Sequence, residues 1–329
     1  MSEPTRADEI SAAVAVLRNG GLVAFPTETV YGLGADASLP AAVRRVFAVK
    51  GRPADHPLIV HLADASQLDA WTLEVPALAR RLADALWPGP LTLVLRKAAH
   101  VDAVVTGGLP TLALRVPAHP LALALLRAHG GGIAAPSANR FGRVSPTTAA
   151  HVREDLGADV ELVLDGGACA VGIESTIVDL SRGDDRAAIL RPGGVSAERL
   201  AAVVGRPLPV REDAEVRTPG QLPSHYAPRA RVLVVEPAAL ADTLASLSSL
   251  RVGVIEAVAG TPAPRWHEGP PLRVVLDPER DLAHHLYAAL RRLDAAGCDV
   301  IVATLPPPAE LGLAIADRLR RAAGPRDEA

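Results

Sequence analysis

The sequence predicts an α/β protein with two domains. Its 329 residues exceed the length of one ordinary domain. Apolar segments of strand length alternate with segments of helical periodicity, most regularly beyond residue 230. Residues 206–229 are rich in proline and charge and have no sustained periodicity, which is typical of an interdomain linker. We therefore predict domains at 1–205 and 230–329, joined by a linker at 206–229.

The composition indicates a folded protein and excludes several classes. Hydrophobic residues make up 49% of the chain and charged residues 22%, so the chain can bury a core. A formal net charge of −3 gives no global indication of a nucleic-acid binder. Cys169 and Cys298 lie far apart and no paired His or Cys spacing occurs, so we predict buried thiols, no disulfides and no structural metal. No basic leader and no apolar run of about 20 residues occurs, so we expect a cytoplasmic protein without membrane contact.

The first domain is predicted to contain short apolar strands joined by helices. The predicted strands are 22–27, 58–62, 91–96, 111–117, 132–139, 161–167, 175–180 and 187–193. The predicted helices are 7–18, 39–51, 76–86, 119–131, 145–157 and 196–205. Ser145 or Thr147 is expected to cap the fifth helix and Ser196 the sixth. Gly32 and Gly34 are expected to form a turn or to permit close backbone approach.

The second domain has a simpler pattern. The predicted strands are 230–236, 251–257, 272–277 and 298–305, and the predicted helices are 237–247, 279–297 and 308–323. This alternation predicts a small parallel sheet with helices on both faces, a Rossmann-like unit. Because no G-x-G-x-x-G follows its first strand, dinucleotide binding is not predicted.

Cations near strand and helix ends are the strongest candidates for chemistry. Lys50 and Arg52 flank Gly51 beside a proline and can hold phosphate or carboxylate oxygens, although a solvated helix end gives the same pattern. Arg115 lies inside an apolar strand and therefore needs either a ligand anion or a buried ion-pair partner. The loop with Ser137 and Asn139 can hydrogen-bond a nucleotide or can be ordinary turn chemistry.

The order of the motifs is more specific than any one of them. The series is FPTETVYGLGADA (25–37), KGRPADHPLIVH (50–61), WPGPLTLVL (87–95), LALRVP (112–117), APSANRFGRVSPT (135–147), LDGG (164–167), GIESTIVD (172–179) and ILRPG (189–193). It resembles the YrdC/Sua5 family of L-threonylcarbamoyladenylate synthases over about residues 10–200. SHYAP (224–228), followed by a Rossmann-like unit, resembles the two-domain Sua5 form. The resemblance implies a YrdC-like twisted mixed sheet with a large, positively lined concave pocket.

The resemblance also implies a reaction. Members of the family combine L-threonine, bicarbonate and ATP, with Mg²⁺, into threonylcarbamoyl-AMP and pyrophosphate. A tRNA threonylcarbamoyltransferase then uses the product to form t6A at adenosine 37 of tRNAs that read ANN codons. Direct contact between this chain and tRNA stays open, and no protein-held metal is implied.

Residue roles follow from the motif matches alone. The catalytic pair implied by the resemblance is Lys50 and Arg52, which match phosphate-binding positions. Threonine-site positions are Tyr31, His61, Arg115, Ala135, Ser175, Thr176 and Thr29. ATP-site positions are Lys50, Arg52, His56, Thr111, Ser137, Asn139, Ser145, Arg191 and Tyr226. Arg115 is implied to bind the threonine carboxylate, and Tyr226 to reach over the nucleotide from the linker. His56 departs from the family, because many members have Asn at that position.

Two alternatives differ in class from the synthase. One is a carbamoyl-adenylate-forming enzyme like the YrdC-like part of the hydrogenase-maturation carbamoyltransferases. The lack of Cys-rich zinc motifs and of further domains argues against it. The other is a non-enzymatic module that binds double-stranded RNA or tRNA in a basic concavity. The near-neutral net charge argues against that alternative.

Overall fold

The chain folds into two compact units, each with its own sheet. The computed structural model describes residues 5–211, 216–220, 225–261, 263–279 and 281–325. The first unit comprises Met1–Phe141, Pro146–Ala170 and Glu174–Gln221. The second unit comprises Gly142–Ser145, Val171–Ile173 and Leu222–Ala329.

The first unit is built on a large mixed sheet, which has nine strands among the residues that the structure describes. They are β1 (Val23–Phe25), β2 (Gly32–Asp36), β3 (Ile59–His61), β4 (Leu91–Arg96), β5 (Thr111–Arg115), β6 (Ile133–Ala134), β7 (Leu162–Val163), β8 (Thr176–Asp179) and β9 (Ala188–Arg191). Their order across the sheet is β7-β1-β2-β6-β3-β5-β4-β8-β9. β3 pairs with β5 in parallel and β4 pairs with β5 antiparallel. The predicted YrdC-like mixed α/β fold is therefore confirmed.

Helices cover this sheet, and some of them begin at a side-chain cap. They are α1 (Arg6–Arg18), α2 (Pro40–Lys50), α3 (Leu68–Trp71), α4 (Ala77–Leu86), α5 (Ala103–Thr106), α6 (Pro120–His129), α7 (Ala149–Leu156) and α8 (Ala197–Val204). Thr5 caps α1 in a capping box, and Ser196 caps α8 as predicted. α2 ends at Gly51, whose φ of 64° suits glycine, and this leaves Lys50 on the last turn. The short helices α3 and α5 were not predicted.

The predicted cap of α7 was wrong. Thr148, rather than Ser145 or Thr147, is the N-cap, because its extended backbone lets its hydroxyl accept from His151 N. Thr147 instead directs its backbone N–H to His151 Nδ1 at 3.3 Å. The three polar residues of this turn are chemically similar, so the sequence did not distinguish the cap.

The expected turn at Gly32 and Gly34 is a strand. β2 pairs with β1 antiparallel, with Phe25 opposite Gly32 and Val23 opposite Gly34. A Cβ at Gly34 would lie 2.8 Å from Ile133 Cγ2 and 2.9 Å from Phe25 Cε1. The alternative of close approach therefore explains these glycines, because the neighbouring strands leave no room for a side chain.

The second unit has a parallel sheet with one antiparallel edge. Among its described residues the strands are β10 (Arg231–Val235), β11 (Val252–Ala257), β12 (Arg265–His267), β13 (Leu272–Leu276) and β14 (Val300–Thr304), in the order β10-β14-β11-β13-β12. The helices are α9 (Leu240–Ser246), α10 (Leu282–Ala295) and α11 (Gly312–Ala322). The predicted Rossmann-like arrangement is confirmed. β12 was not predicted, because its three largely exposed residues carry no apolar pattern.

Buried apolar residues form a core in each unit. Leu22, Leu33 and Leu114 are among the fully buried members of the main core of the first unit. Val254 and Val302 are fully buried in a core of the second. Cys169 and Cys298 are free and buried, as predicted. Across the described residues, no helix is both long and apolar enough to cross a membrane.

Candidate active site

Arg115 ends β5 in the interior of the first unit and has a protein counter-charge. Its Nη2 lies 2.7 Å from Glu28 Oε1. Its Nη1 donates to Thr29 Oγ1 at 2.9 Å, and its Nε donates to Gly89 O at 3.2 Å. The buried ion pair that the sequence left open is therefore present.

The Arg115–Glu28 pair keeps unused hydrogen-bonding capacity. Both side chains are buried, with 4% and 10% of their surface exposed. Although the two atoms are close, neither Arg115 Nη2 nor Glu28 Oε1 makes a hydrogen bond, so the contact is ionic and the N–H bonds point elsewhere. A buried guanidinium with an unpaired N–H is suited to receiving an anionic ligand.

His61 lies directly beside Arg115. The two residues are paired in register between β3 and β5, and His61 packs its ring edge against Phe25 at 5.7 Å. Burial, followed by the Arg115 charge, lowers the pKa of His61 to about 3, although hydrogen bonds with the backbone of Ile133 and Ile59 oppose the shift. His61 is therefore neutral at neutral pH and can form hydrogen bonds without adding charge. Ala135 lies beside Ile59 at the start of β3, since its N–H donates to Ile59 O at 2.9 Å.

Tyr31 and Cys169 lie near one another and are both protonated at neutral pH. The Tyr31 hydroxyl donates to Gly167 O at 2.8 Å and accepts from Gly166 N at 3.1 Å, which fixes the loop after β7. Burial raises the pKa of Tyr31 to about 12. Burial and then the Glu28 carboxylate raise the pKa of Cys169 to about 12. Neither group is a nucleophile at neutral pH.

Lys50 organises the loop that contains Ser137 and Asn139. Its Nζ donates to the backbone carbonyls of both residues. Burial, followed by the Arg52 charge, lowers the pKa of Lys50 well below its usual range. Arg52 donates to Pro57 O at 3.0 Å. The structure thus brings the predicted phosphate-binding cations and the predicted nucleotide loop together.

His56, the departure from the family pattern, lies beside these cations. Its ring meets Phe141 edge-on at 5.6 Å, and its Nε2 is 4.0 Å from Asp55 Oδ1. Burial and then the Arg52 charge lower its pKa. His56 is therefore neutral at neutral pH and can donate one hydrogen bond and accept another.

Arg191 connects the end of β9 to Ser175. Its Nε and Nη2 donate to Ser175 O at 3.2 and 2.8 Å, and its Nη1 donates to Pro219 O at 2.8 Å. The Ser175 hydroxyl is 2.7 Å from Thr92 Oγ1. The Thr176 hydroxyl donates to Val195 O at 2.6 Å and so braces the backbone.

Three further predicted ATP-site residues are Thr111, Ser145 and Tyr226. Thr111 is at the opposite end of β5, about 13 Å along the strand from Arg115. Ser145 is buried in the second unit. Tyr226, also in the second unit, is buried, has φ of 61° and stacks on Tyr287 with ring centroids 5.7 Å apart.

Comparison with known families decides the relationship. The family profile Sua5_yciO_yrdC, described as "Telomere recombination", matches residues 15–193. A profile described as "Threonylcarbamoyl-AMP synthase, C-terminal domain" matches residues 195–324. The chain belongs to the Sua5/YrdC family.

Full-length relatives support this membership. The threonylcarbamoyl-AMP synthase of Pyrococcus abyssi is 43% identical, over 97% of this chain and 95% of its own. That of Bacillus subtilis is 43% identical, over 98% and 95%. A crystal structure of P. abyssi Sua5 complexed with L-threonine superposes with a TM-score of 0.89 at 41% identity, covering 98% of this chain and 96% of that one. The prediction of an adenylate-forming, nucleotidyltransferase-type enzyme is confirmed over the non-enzymatic alternative.

The sequence did not single out the partners of the site residues in this Sua5 family member. Glu28, Thr92 and Gly89 contact Arg115 or Ser175, yet each is distant in sequence from the residue that it contacts. One indication was present for Glu28. It is an acidic residue that closely follows the buried strand β1.

Proposed function

We propose that this member of the Sua5/YrdC family makes threonylcarbamoyl-AMP and pyrophosphate from L-threonine, bicarbonate and ATP. The observation that supports this most is the buried Arg115, whose Nη2 makes no hydrogen bond, beside the neutral His61. The P. abyssi Sua5 that superposes on this chain was crystallised with L-threonine.

The threonine site is built around Arg115, which binds the substrate carboxylate. Thr29 orients the guanidinium through its hydroxyl. His61 supplies a neutral hydrogen-bonding group. Arg115 and Glu28 therefore carry the charges of the threonine site. Tyr31 shapes the site because its hydroxyl hydrogen-bonds to the backbone of Gly166 and Gly167. The remaining threonine-site positions are Ala135, Ser175 and Thr176.

The ATP site uses Lys50 and Arg52 to offset the charge of the triphosphate. Burial disfavours the charged form of Lys50, and phosphate oxygens beside Nζ favour it, so ATP binding stabilises the ammonium. Further ATP-site positions are His56, Thr111, Ser137, Asn139, Ser145, Arg191 and Tyr226.

Mg²⁺ enters this site as part of the substrate MgATP. Among the described residues no group of three or more His, Cys, Asp or Glu side chains could hold a metal ion. Mg²⁺ prefers octahedral oxygen ligands and binds substrate phosphates readily. The ligands therefore come from the triphosphate and water, and Lys50 and Arg52 bind the remaining phosphate oxygens.

The mechanism is positioning together with charge neutralisation. The ammonium group of threonine first loses a proton to solvent, and the resulting amine reacts with bicarbonate to form N-carboxythreonine and water. The new carboxylate then attacks the α-phosphorus of ATP while pyrophosphate leaves in line. No covalent intermediate on the enzyme is needed. Each well-placed charge contributes on the order of 3–4 kcal/mol to the transition state. The burial of Arg115, His61 and Lys50 keeps water away from the unstable carbamate.

Threonylcarbamoyl-AMP is the substrate of a later enzyme. A tRNA threonylcarbamoyltransferase takes the threonylcarbamoyl group to adenosine 37 of tRNAs that read ANN codons, forming t6A. Contact of tRNA with this chain, and a cytoplasmic location, stay predictions.

Pyrophosphate release tests the proposal. Release from ATP must require both threonine and bicarbonate, and carbamoyl phosphate must not replace them. Arg115→Ala is expected to raise KM for threonine about 10- to 100-fold, because a charged hydrogen-bonding partner is lost. Arg44→Ala, an exposed arginine on α2, is the matched control and leaves KM unchanged. Release without threonine, or an unchanged KM in Arg115→Ala, would contradict the assignment.

A further inference from the structure

We propose that Glu28 binds the α-ammonium group of the amino-acid substrate, so that the Arg115–Glu28 pair selects a zwitterion over a simple carboxylate. The inference rests on the proposed function and deepens it, because it names the group that recognises the amine. Glu28 belongs to no predicted set of site residues.

Glu28 is held in place and keeps one free carboxylate oxygen. Its Oε2 accepts the backbone N–H of Ala118 at 3.0 Å, which fixes the side chain beside the end of β5. Its Oε1 faces Arg115 Nη2 at 2.7 Å but makes no hydrogen bond. An acceptor oxygen that is buried, charged and not hydrogen-bonded is costly unless a ligand donor satisfies it.

The Arg115–Glu28 pair is poorly suited to binding a carboxylate that carries no positive charge. Glu28 neutralises the Arg115 charge at close range, so a carboxylate arriving alone meets an attracting and a repelling charge together. An amino acid brings both signs at neighbouring atoms. Its carboxylate pairs with Arg115 and its ammonium pairs with Glu28, and each buried charge then gains a counter-charge and a hydrogen bond.

The other titratable groups that face Glu28 do not supply this counter-charge. Burial lowers the pKa of His119, which also lies near the Glu28 carboxylate. Burial raises the pKa of Cys169, whose thiol also lies near Glu28, to about 12. Both side chains are uncharged near pH 7. A ligand ammonium would therefore be the cation that complements Glu28 alongside Arg115.

Two ligands that differ only in the amine test the inference. L-threonine and 3-hydroxybutyrate share the carboxylate and the β-hydroxyl, and their Kd values can be measured by calorimetry on the full chain without ATP. The wild type is expected to bind threonine at least about tenfold more tightly, since a charge-assisted hydrogen bond is lost with the amine. In Glu28→Gln this preference should fall to about threefold or less. Gln keeps the size of Glu and an acceptor for Ala118 N but not the charge.

The outcomes separate an ammonium site from structural support. If Glu28→Gln weakens both ligands equally, Glu28 only orients Arg115 and the inference is overturned. An unchanged preference overturns it as well. Asp179→Asn is the control, because Asp179 is a buried acid with its own arginine partner, Arg182, and both affinities should stay as in the wild type.

Measurements on the wild type give two further outcomes that bear on the inference. If Glu28→Gln does not fold, the wild type alone is informative, because equal affinity for the two ligands overturns the inference. A wild type that releases no pyrophosphate with threonine contradicts the proposed function instead. A wild type that releases pyrophosphate yet binds both ligands equally contradicts only the role of Glu28.

Discussion

Arg115 and Glu28 illustrate how a single residue pair serves function at a cost in stability. Desolvating two charges costs several kcal/mol per ion, and their attraction offsets this only with good hydrogen-bond geometry. Here the closest contact, at 2.7 Å, lacks that geometry. The pair is therefore better explained by ligand recognition than by folding stability.

His61 should make the stability of the protein depend on pH. Its pKa is about 3 in the folded chain against 6.5 for an unperturbed histidine. The unfolded chain thus binds more protons between these values. The stabilisation is complete above pH 6.5 and is lost as pH falls through 6.5 towards 3, by about 1.4 kcal/mol per pH unit.

The measurement is urea unfolding at pH 7.5 and pH 5. His61→Asn should lose less stability than the wild type between these conditions, by about 2 kcal/mol. His100→Asn, which changes an exposed histidine, is the control and should behave as the wild type. Equal losses in wild type and His61→Asn would show that His61 does not titrate in this way. Other buried histidines affect both proteins alike, so the difference isolates His61.

At residue level the sequence predicts which side chains are unusual better than it predicts their partners. Arg115 stood out because a charge inside an apolar strand needs an explanation. Glu28 did not stand out, because the segment Thr27-Glu28-Thr29, directly after Pro26, has the composition of a turn. Their meeting depends on the sheet order, in which β5 and the segment after β1 reach the same place only after folding. The order of the strands in the sheet cannot be read from a single sequence.

The β1–β2 hairpin shows that glycine residues can make a strand difficult to predict from sequence. β2 contains Gly32 and Gly34, and glycine weakens a strand through entropy. Packing outweighs that propensity, because Phe25 and Ile133 occupy the space where a Gly34 side chain would lie. Long amphipathic helices such as α1 and α4 were predictable from local periodicity. The three-residue strand β12 was not separable from a loop.

Gly34→Ala tests the packing explanation. The new Cβ would meet Ile133 Cγ2 at 2.8 Å and Phe25 Cε1 at 2.9 Å, both in the core, so we expect a loss of about 1–3 kcal/mol of unfolding free energy. Gly32→Ala should cost less, since its closest contact would be 3.3 Å. Gly269→Ala, with nothing within 4 Å, should lie within about 0.5 kcal/mol of the wild type. Equal losses at Gly34 and Gly269 would refute the explanation.

For the whole molecule, the sequence predicts two domains from a change of pattern near residue 230. The parallel sheet of the second unit follows from regular alternation of strand and helix. The order of the first sheet does not, because its mixed pairing brings strands distant in sequence together, such as β1 with β7. The resemblance of motifs supplied what local patterns could not.

Because each unit has its own sheet and its own buried core, calorimetry of the full chain is expected to show two unfolding transitions. L-threonine at about 100 times its Kd should add about 2.7 kcal/mol to the first unit only, since its predicted binding residues lie there. Val302→Ala, a fully buried position in β14, should lower only the other transition, by on the order of 10 °C. 3-Hydroxybutyrate at the same concentration is the ligand control and should shift the first transition less. A single transition that both the ligand and Val302→Ala move would show that the units unfold together.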